Sequence, residues 1–188
     1  MISHQYKCIF IHIPKTGGTS IENVLRQDKT KGSDHSLLKD YSNYSIFDNY
    51  FKFAVVRNTY DRIWSIYSYY SSGGNQHKLQ TLTDYYYHYI YRIFKFPYYS
   101  DLEIRDKMPV TFQKFCEVYL KEGQPFFRKN MLLSQLDFIS INGNIELDFI
   151  IQFDCLKNDF SKVAKKLGVH EKIPHLRKNQ LKGHYSTL

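Results

Sequence analysis

A lysine, two adjacent glycines and three hydroxyl residues follow a short, largely apolar run near the start of the chain. The run spans residues 9–13, and the polar segment after it comprises Lys15, Thr16, Gly17, Gly18, Thr19 and Ser20. Such a run is typical of a buried strand, and apolar residues recur at helical spacing after Ser20. Glycines permit a tight turn whose exposed peptide N–H groups, with the dipole of the following helix, bind phosphate-like anions. The sequence therefore predicts a strand, an anion-binding turn and a helix, with Lys15 adding positive charge.

The same segment also admits a purely structural interpretation. Lys15 precedes the glycine pair, whereas the lysine of the Walker A phosphate-binding motif follows the glycines. Thr19 and Glu22 have the spacing of a capping box, which would fix the first turn of any helix. On this segment alone, both anion binding and simple helix capping stay open.

A second cationic turn is predicted farther along the chain. Residues 51–56 form an apolar strand pattern that leads directly into Arg57, and a helical stripe indicates a helix from near Thr59 that contains Ser65. Open α/β sheets bind ligands at strand ends, and the planar arginine fork suits a phosphate dianion. The alternative is that Arg57 pairs with Asp61 and that Ser65 is merely solvated. If both turns face one crevice, a nucleoside with phosphates at its two ends would bridge them.

The order of these elements predicts the fold. Two successive strand–turn–helix units favour parallel strands with right-handed crossovers, hence an α/β fold with a central, mainly parallel sheet flanked by helices. The chain of 188 residues is most simply one domain spanning residues 1–188. The pattern of apolar residues predicts further helices over residues 112–120, 128–136 and 156–167, and a third strand over residues 145–152.

Composition limits the partners and the compartment. A formal net charge of +8 indicates an anionic partner, such as a nucleotide, an acidic glycan or a nucleic acid. The N-terminal residues lack a secretory pattern and no apolar run is long enough to span a bilayer. Three widely spaced cysteines, at positions 8, 116 and 155, suggest neither disulfides nor a metal site. We therefore expect a cytoplasmic, metal-independent protein with reduced, buried thiols.

The paired segments Pro14–Ser20 and Arg57–Ser65 closely resemble the two signatures of the sulfotransferase family. The similarity is to the branch containing carbohydrate sulfotransferases that use 3′-phosphoadenosine 5′-phosphosulfate (PAPS). It implies a P-loop-like, three-layer fold and transfer of a sulfuryl group to a hydroxyl of a carbohydrate or glycolipid, with release of adenosine 3′,5′-bisphosphate. It also implies the residues that bind PAPS. In the family the first loop binds the 5′-phosphosulfate, and the matching residues here are Lys15, Thr16, Gly17, Gly18, Thr19 and Ser20. The resemblance assigns binding of the 3′-phosphate to Arg57 and Ser65, with Lys178 as a further contact.

Two residues are predicted to take part in the transfer itself. Lys15 would neutralise charge on the departing oxygen, because sulfuryl transfer, like phosphoryl transfer, depends on positioning and charge stabilisation. His35 would accept the proton of the acceptor, as a histidine at similar spacing does in related uronosyl sulfotransferases. Glu22 is the rival base, and His12 is interpreted as a core histidine. An exposed His35 without a role is the alternative.

Two other classes of function remain open at this stage. A P-loop-type phosphotransferase or NTPase would also bind a nucleotide, although the lysine position differs and no acidic magnesium ligand is evident. A basic nucleic-acid-binding module would fit the charge but would leave the paired turns unexplained. The tyrosine-rich segment 84–99 could stack on an acceptor, or it could simply be core and helix surface.

Overall fold

A computed structural model describes residues 1–28, 33–72, 108, 111–122 and 130–174. The chain divides into two compact units, Met1–Arg62 with Leu133–Lys178 and Ile63–Leu132 with Asn179–Leu188. Segment 84–99 and Lys178 lie outside the described residues, so the predictions made for them stay predictions.

Regular elements occupy much of the described chain. The strands are β1 (Ile2–Ser3), β2 (Cys8–Ile11), β3 (Phe51–Val56), β4 (Ser140–Ile141), β5 (Asn144–Ile145) and β6 (Phe149–Gln152). The α-helices are α1 (Gly18–Leu25), α2 (Thr59–Ser71), α3 (Phe112–Glu122), α4 (Gln135–Ile139) and α5 (Leu156–Leu167). Short 3₁₀ helices occupy Leu38–Tyr41 and Phe153–Cys155.

The first unit is built around a four-stranded sheet in the order β1-β2-β3-β6. Strands β2, β3 and β6 are parallel, whereas the short edge strand β1 is antiparallel to β2. The carboxyl ends of the three parallel strands therefore meet at one edge of the sheet. The predicted α/β fold with a central, mainly parallel sheet is confirmed.

Helices cover both faces of this sheet, as the double burial of β2 predicted. On one face Phe10 and Phe53 pack against α1 and α5. On the other face Ile9 and Ala54 pack against the 3₁₀ helix Leu38–Tyr41 and α4. Alternate side chains of each strand are thus removed from water on opposite faces, which is why β2 reads as a continuous apolar run.

The second unit has an aromatic core of its own. It is formed by the later part of α2 and by α3, with Trp64 and Tyr67 of α2 packed against Phe112 and Phe115 of α3. Ring centroids in this group lie 5.0 to 5.6 Å apart, and the Trp64 and Phe112 rings meet edge to face. The helical stripes predicted after Thr59 and over residues 112–120 are both confirmed.

Three predicted details are wrong. Within the described residues 130–136, the helix predicted over 128–136 begins only at Gln135, because Ser134 accepts from the Asp137 amide and so provides the N-cap of α4. The strand predicted over 145–152 is two strands, β5 and β6, and between them Asp148 accepts a 2.7 Å hydrogen bond from the Lys52 amide. All three cysteines are free, but only Cys8 is buried; Cys155 is exposed because it lies at the polar start of α5.

Candidate functional site

The first cationic turn contains two residues with left-handed backbone conformation and one buried hydroxyl group. Lys15 has φ of 68° and Gly17 has φ of 82°, and a side chain is disfavoured in that region, so the Lys15 backbone is strained. Thr16 is buried and its Oγ1 donates to the Ile13 carbonyl at 2.9 Å. Helix α1 begins at Gly18 with Gly17 as its N-cap and without a side-chain cap. The first amides of α1 lack intrahelical partners apart from the Ser20 amide, which donates to the Gly17 carbonyl at 3.2 Å.

The capping box predicted for Thr19 and Glu22 is wrong. Gly17 takes the cap position, so Thr19 already lies inside the helix. Glu22 turns its carboxylate inward, where Nδ1 of His12 and Nη2 of Arg26 approach Oε1 to 3.1 and 3.2 Å. The structural interpretation that competed with anion binding therefore does not describe this turn.

Both glycines of the turn lie against aromatic rings. A Cβ at Gly17 would come within 2.9 Å of Cε2 of Phe153, and a Cβ at Gly18 would overlap the His12 ring. The His12 ring has no room to withdraw, since it stacks on Phe10 and lies 4.3 Å, centroid to centroid, from the ring of His35. The backbone can approach these rings only because positions 17 and 18 lack side chains.

Replacing Gly18 with alanine is expected to destabilise the fold. The added methyl group enters a filled space and forces the His12 ring off its present position, which typically costs about 1–3 kcal/mol of unfolding free energy. Urea unfolding monitored by circular dichroism measures the effect. Alanine at Gly143 is the comparison, because its Cβ would meet nothing within 4 Å and it carries only the backbone cost of a φ of 83°, which Gly18 in α1 does not have. A Gly18→Ala protein as stable as the wild type would contradict the close approach to His12.

The second cationic turn lies directly beside the first. Arg57 follows the last residue of β3, and its Nη1 donates to the Lys15 carbonyl at 3.3 Å. The Arg57 guanidinium also lies 4.3 Å above the centroid of the Phe153 ring. Phe153 follows β6, so residues at the ends of all three parallel strands meet here. The structure therefore brings Lys15 and Arg57 together, as a bridging nucleotide requires.

Asn58, and not Thr59, caps the helix that follows Arg57. The Asn58 Oδ1 accepts from the amides of Tyr60 and Asp61 at 2.9 and 3.3 Å. Thr59 is the first residue of α2, in agreement with the predicted helix start near Thr59. This cap fixes the start of α2 immediately after Arg57.

The electrostatics of Arg57 favour an anionic ligand. Burial lowers the pKa of Arg57, and Asp61 and Asp154 only partly oppose that effect. Within the described part of the chain, its buried Nε has no hydrogen-bond partner. An anion that reached Nε would supply both the missing acceptor and the compensating charge.

Arg62 is a second buried arginine that the sequence did not single out. It is 2% exposed, its Nε donates to the Pro14 carbonyl at 3.0 Å, and its Nη1 donates to the Leu133 carbonyl at 3.0 Å. Burial lowers the pKa of Arg62 to about 10, so the guanidinium is still charged at neutral pH. Arg62 thus holds the residue before Lys15 in place. Its only sequence signal was its position inside the second signature.

Ser65 lies on α2 in the second unit and is buried. Its predicted contact with a phosphate stays a prediction.

The predicted base, His35, lies beside the start of α1. Its Nδ1 is 2.9 Å from the His12 carbonyl, and its ring packs against the His12 ring, which itself contacts Gly18. A carbonyl oxygen can only accept, so Nδ1 of His35 carries a proton. In the neutral ring the lone pair is then on Nε2, the form that a general base requires.

Glu22, the rival base, is enclosed by protein. Its side chain is 4% exposed, and besides His12 and Arg26 its Oε1 accepts from the Asp34 amide at 3.1 Å. Burial would raise the pKa of Glu22, but His12, the Asp34 amide and Arg26 outweigh burial and hold this pKa below its usual range. Glu22 therefore anchors the segment that carries His35 instead of facing an acceptor.

A family model described as "Sulfotransferase family" matches residues 1–187 of the chain. The chain belongs to the sulfotransferase family. It has no match among curated proteins and none among solved structures. Membership shows that this sulfotransferase is a transferase of sulfuryl groups, and it agrees with the parallel sheet and its two cationic turns.

Two further findings concern the described residues of the sulfotransferase. No group of three or more histidine, cysteine or acidic residues in ranges 1–28, 33–72, 111–122 and 130–174 could hold a metal ion. In the same part of the chain, every helix is too short or too polar to cross a bilayer.

Asp34 orders the backbone next to His35. Its carboxylate accepts from the Ser36 amide and hydroxyl at 3.1 and 2.6 Å and from the Tyr41 hydroxyl at 2.6 Å, and the α-amino group of Met1 lies 3.3 Å away. Burial would raise the pKa of Asp34, but the α-amino group and these donors hold it well below its usual range. The sequence pattern does not indicate the pairing with the α-amino group, because Met1 is distant from Asp34 along the chain.

The inward-facing carboxylate of Glu22 predicts loss of stability in acid. Because folding lowers the pKa of Glu22, its contribution is present above the unfolded value of about 4 and is lost as the pH falls through the lower folded value. Urea unfolding at pH 7, 5, 4 and 3 should show falling stability below about pH 4. The side chain of Glu22→Gln cannot ionise, so the free energy of unfolding of that variant should fall less steeply over the same pH range. Equal slopes for the two proteins would contradict this role of Glu22.

Proposed function

We propose that this sulfotransferase transfers the sulfuryl group of PAPS to a hydroxyl of a carbohydrate or glycolipid and releases adenosine 3′,5′-bisphosphate. The observation that carries the proposal is the 3.3 Å hydrogen bond from Arg57 Nη1 to the Lys15 carbonyl. It supports a single nucleotide spanning both turns, with its 5′ end at the first turn and its 3′-phosphate at Arg57.

The first turn would bind the phosphosulfate end. The peptide groups of Gly17, Gly18, Thr19 and Ser20 lie at the N-terminus of α1, where the helix dipole favours negative charge. The Lys15 ammonium would offset the charge that develops on the oxygen between sulfur and the 5′-phosphate as that bond breaks. The buried hydroxyl of Thr16, bonded to the Ile13 carbonyl, keeps the turn in shape.

His35 would take the proton of the acceptor. As the acceptor oxygen forms its bond to sulfur, the bond from sulfur to the 5′-phosphate oxygen breaks, and the hydroxyl proton passes to Nε2 of His35. Two contacts support this role: the bond from Nδ1 to the His12 carbonyl, which leaves Nε2 able to accept, and the packing of the His12 ring on Gly18. Together they hold the imidazole near the start of α1.

The acceptor class rests on the resemblance of the two signatures to carbohydrate sulfotransferases. A net charge of +8 is compatible with an acidic glycan, which a basic surface would attract. A panel of neutral and acidic sugars and glycolipids, incubated with PAPS and assayed for sulfate uptake, identifies the acceptor.

Thermal stabilisation by nucleotides tests the donor. A ligand that binds only the folded state raises the unfolding temperature, so adenosine 3′,5′-bisphosphate should stabilise the protein more than adenosine 5′-monophosphate or Mg²⁺-ATP. A larger shift with Mg²⁺-ATP would favour a phosphotransferase or NTPase. Binding to any DNA duplex with steep salt dependence, and no nucleotide shift, would favour a nucleic-acid-binding module.

A further inference from the structure

The backbone of Arg57 is held by one side-chain amide. Gln135 Oε1 accepts from the Arg57 amide at 2.9 Å, and Gln135 Nε2 donates to the Arg57 carbonyl at 2.7 Å. Both backbone groups of Arg57 are thus paired with a single glutamine, as they would be in a sheet ladder. The pairing extends the hydrogen-bonded backbone one residue beyond the end of β3.

Gln135 is itself fixed by its surroundings. It is the first residue of α4, and the preceding Ser134 and Asp137 form a reciprocal capping box. Two residues earlier, the Leu133 carbonyl accepts from Arg62, which also donates to the Pro14 carbonyl. Segment 133–135 is therefore tied to the first cationic turn through Arg62.

These bonds form a closed circuit through both turns. Arg62 links the Pro14 carbonyl to the Leu133 carbonyl, and Leu133 is two residues before Gln135. Gln135 bonds to the Arg57 backbone, and Arg57 Nη1 donates to the carbonyl of Lys15, the residue after Pro14. The Arg57 guanidinium has a second contact on Phe153, and its buried Nε has no partner in the described part of the chain. The direction of Nε consequently depends on how the Arg57 backbone is held.

We infer that Gln135 is a positioning residue that aims Arg57 at the 3′-phosphate and so sets the preference for nucleotides that carry one. The inference rests on the proposed function, since it assumes that Arg57 binds the 3′-phosphate. Gln135 contacts Arg57 through backbone atoms and acts on the nucleotide only through that residue. A preorganised guanidinium loses less freedom on binding than one whose backbone can shift.

The test compares two nucleotides that differ only in the 3′-phosphate. Dissociation constants for adenosine 3′,5′-bisphosphate and adenosine 5′-monophosphate are measured by calorimetry for wild type, Gln135→Leu and Gln135→Asn. Leucine keeps the volume but removes both hydrogen bonds, and asparagine is too short to make both. Leu136→Ala is the matched control, because Leu136 is the next residue of α4 and is 59% exposed.

We expect Gln135→Leu to bind the bisphosphate about tenfold more weakly and to bind the monophosphate as the wild type does. The affinity of Gln135→Asn for the bisphosphate should lie between those of the wild type and Gln135→Leu. Leu136→Ala should bind both nucleotides as the wild type does. Equal weakening for both nucleotides, or an unchanged ratio in both variants, would overturn the inference, since general damage moves both constants together. A wild-type protein that does not distinguish the two nucleotides would overturn the proposed function itself.

Discussion

Replacing Lys15 with alanine is expected to lower sulfuryl transfer about 100- to 1,000-fold, the usual cost of removing one group that stabilises transition-state charge. The fold should survive, because the Lys15 side chain is half-buried and belongs to none of the three hydrophobic clusters. The bisphosphate product should still bind, since the proposed contacts with the α1 terminus and Arg57 would remain. Single-turnover transfer from PAPS, together with product affinity, measures both effects.

Two control variants separate charge from backbone effects at this position. Lys15→Gly removes the ammonium and also relieves the positive φ of 68°, so it should lose activity like alanine without losing stability. Lys114→Ala removes a lysine that is 62% exposed, and it should leave transfer unchanged. Normal turnover in both Lys15 variants would remove the ammonium from the mechanism.

Replacing His35 with alanine is expected to lower the transfer rate about 100- to 10,000-fold, the range for loss of a general base. Affinity for adenosine 3′,5′-bisphosphate should change little, because a general base acts on the acceptor and His35 is hydrogen-bonded to the His12 carbonyl. Two quantities are measured: the transfer rate at saturating PAPS and acceptor, and the dissociation constant of adenosine 3′,5′-bisphosphate.

His4→Ala provides the matched control for His35. His4 is an exposed histidine whose Nδ1 lies 2.9 Å from the Tyr50 hydroxyl, so its loss should not affect the rate. His35→Gln can still donate to the His12 carbonyl but cannot act as a base, and it should be as slow as the alanine variant. A His35→Gln protein with wild-type rate would show that another group takes the proton.

Much of the fold could be predicted because it depends on local patterns. Strand β3 and helices α2, α3 and α5 follow their apolar spacing, and the C-cap of α5 is Gly168, whose φ of 69° suits glycine. The failures have non-local causes. Asp148 interrupts the predicted strand because it bonds to Lys52, which lies 96 positions away in sequence. A predicted helix starts later than expected because Ser134 provides its N-cap. Several nearby residues could have provided a cap equally well, so the sequence does not single out Ser134.

Some residues of the candidate site could likewise be predicted from local patterns, and others could not. Lys15 and Arg57 could be predicted because each follows a strand, and parallel strands place their ends together. Phe153, Arg62 and Gln135 could not, because their roles depend on pairing with backbone atoms or rings from other elements. The spacing of Glu22 from Thr19 fits a capping box, whereas the structure pairs Glu22 with His12, the residue that follows β2.

A crystal structure of the protein determined with adenosine 3′,5′-bisphosphate would test the central claim most directly. We predict one nucleotide across the strand ends, with its 5′-phosphate against the peptide groups of residues 17–20 and its 3′-phosphate within about 3 Å of the Arg57 guanidinium. A nucleotide bound elsewhere, or one that touches the Lys15 turn while its 3′-phosphate lies away from Arg57, would contradict the account.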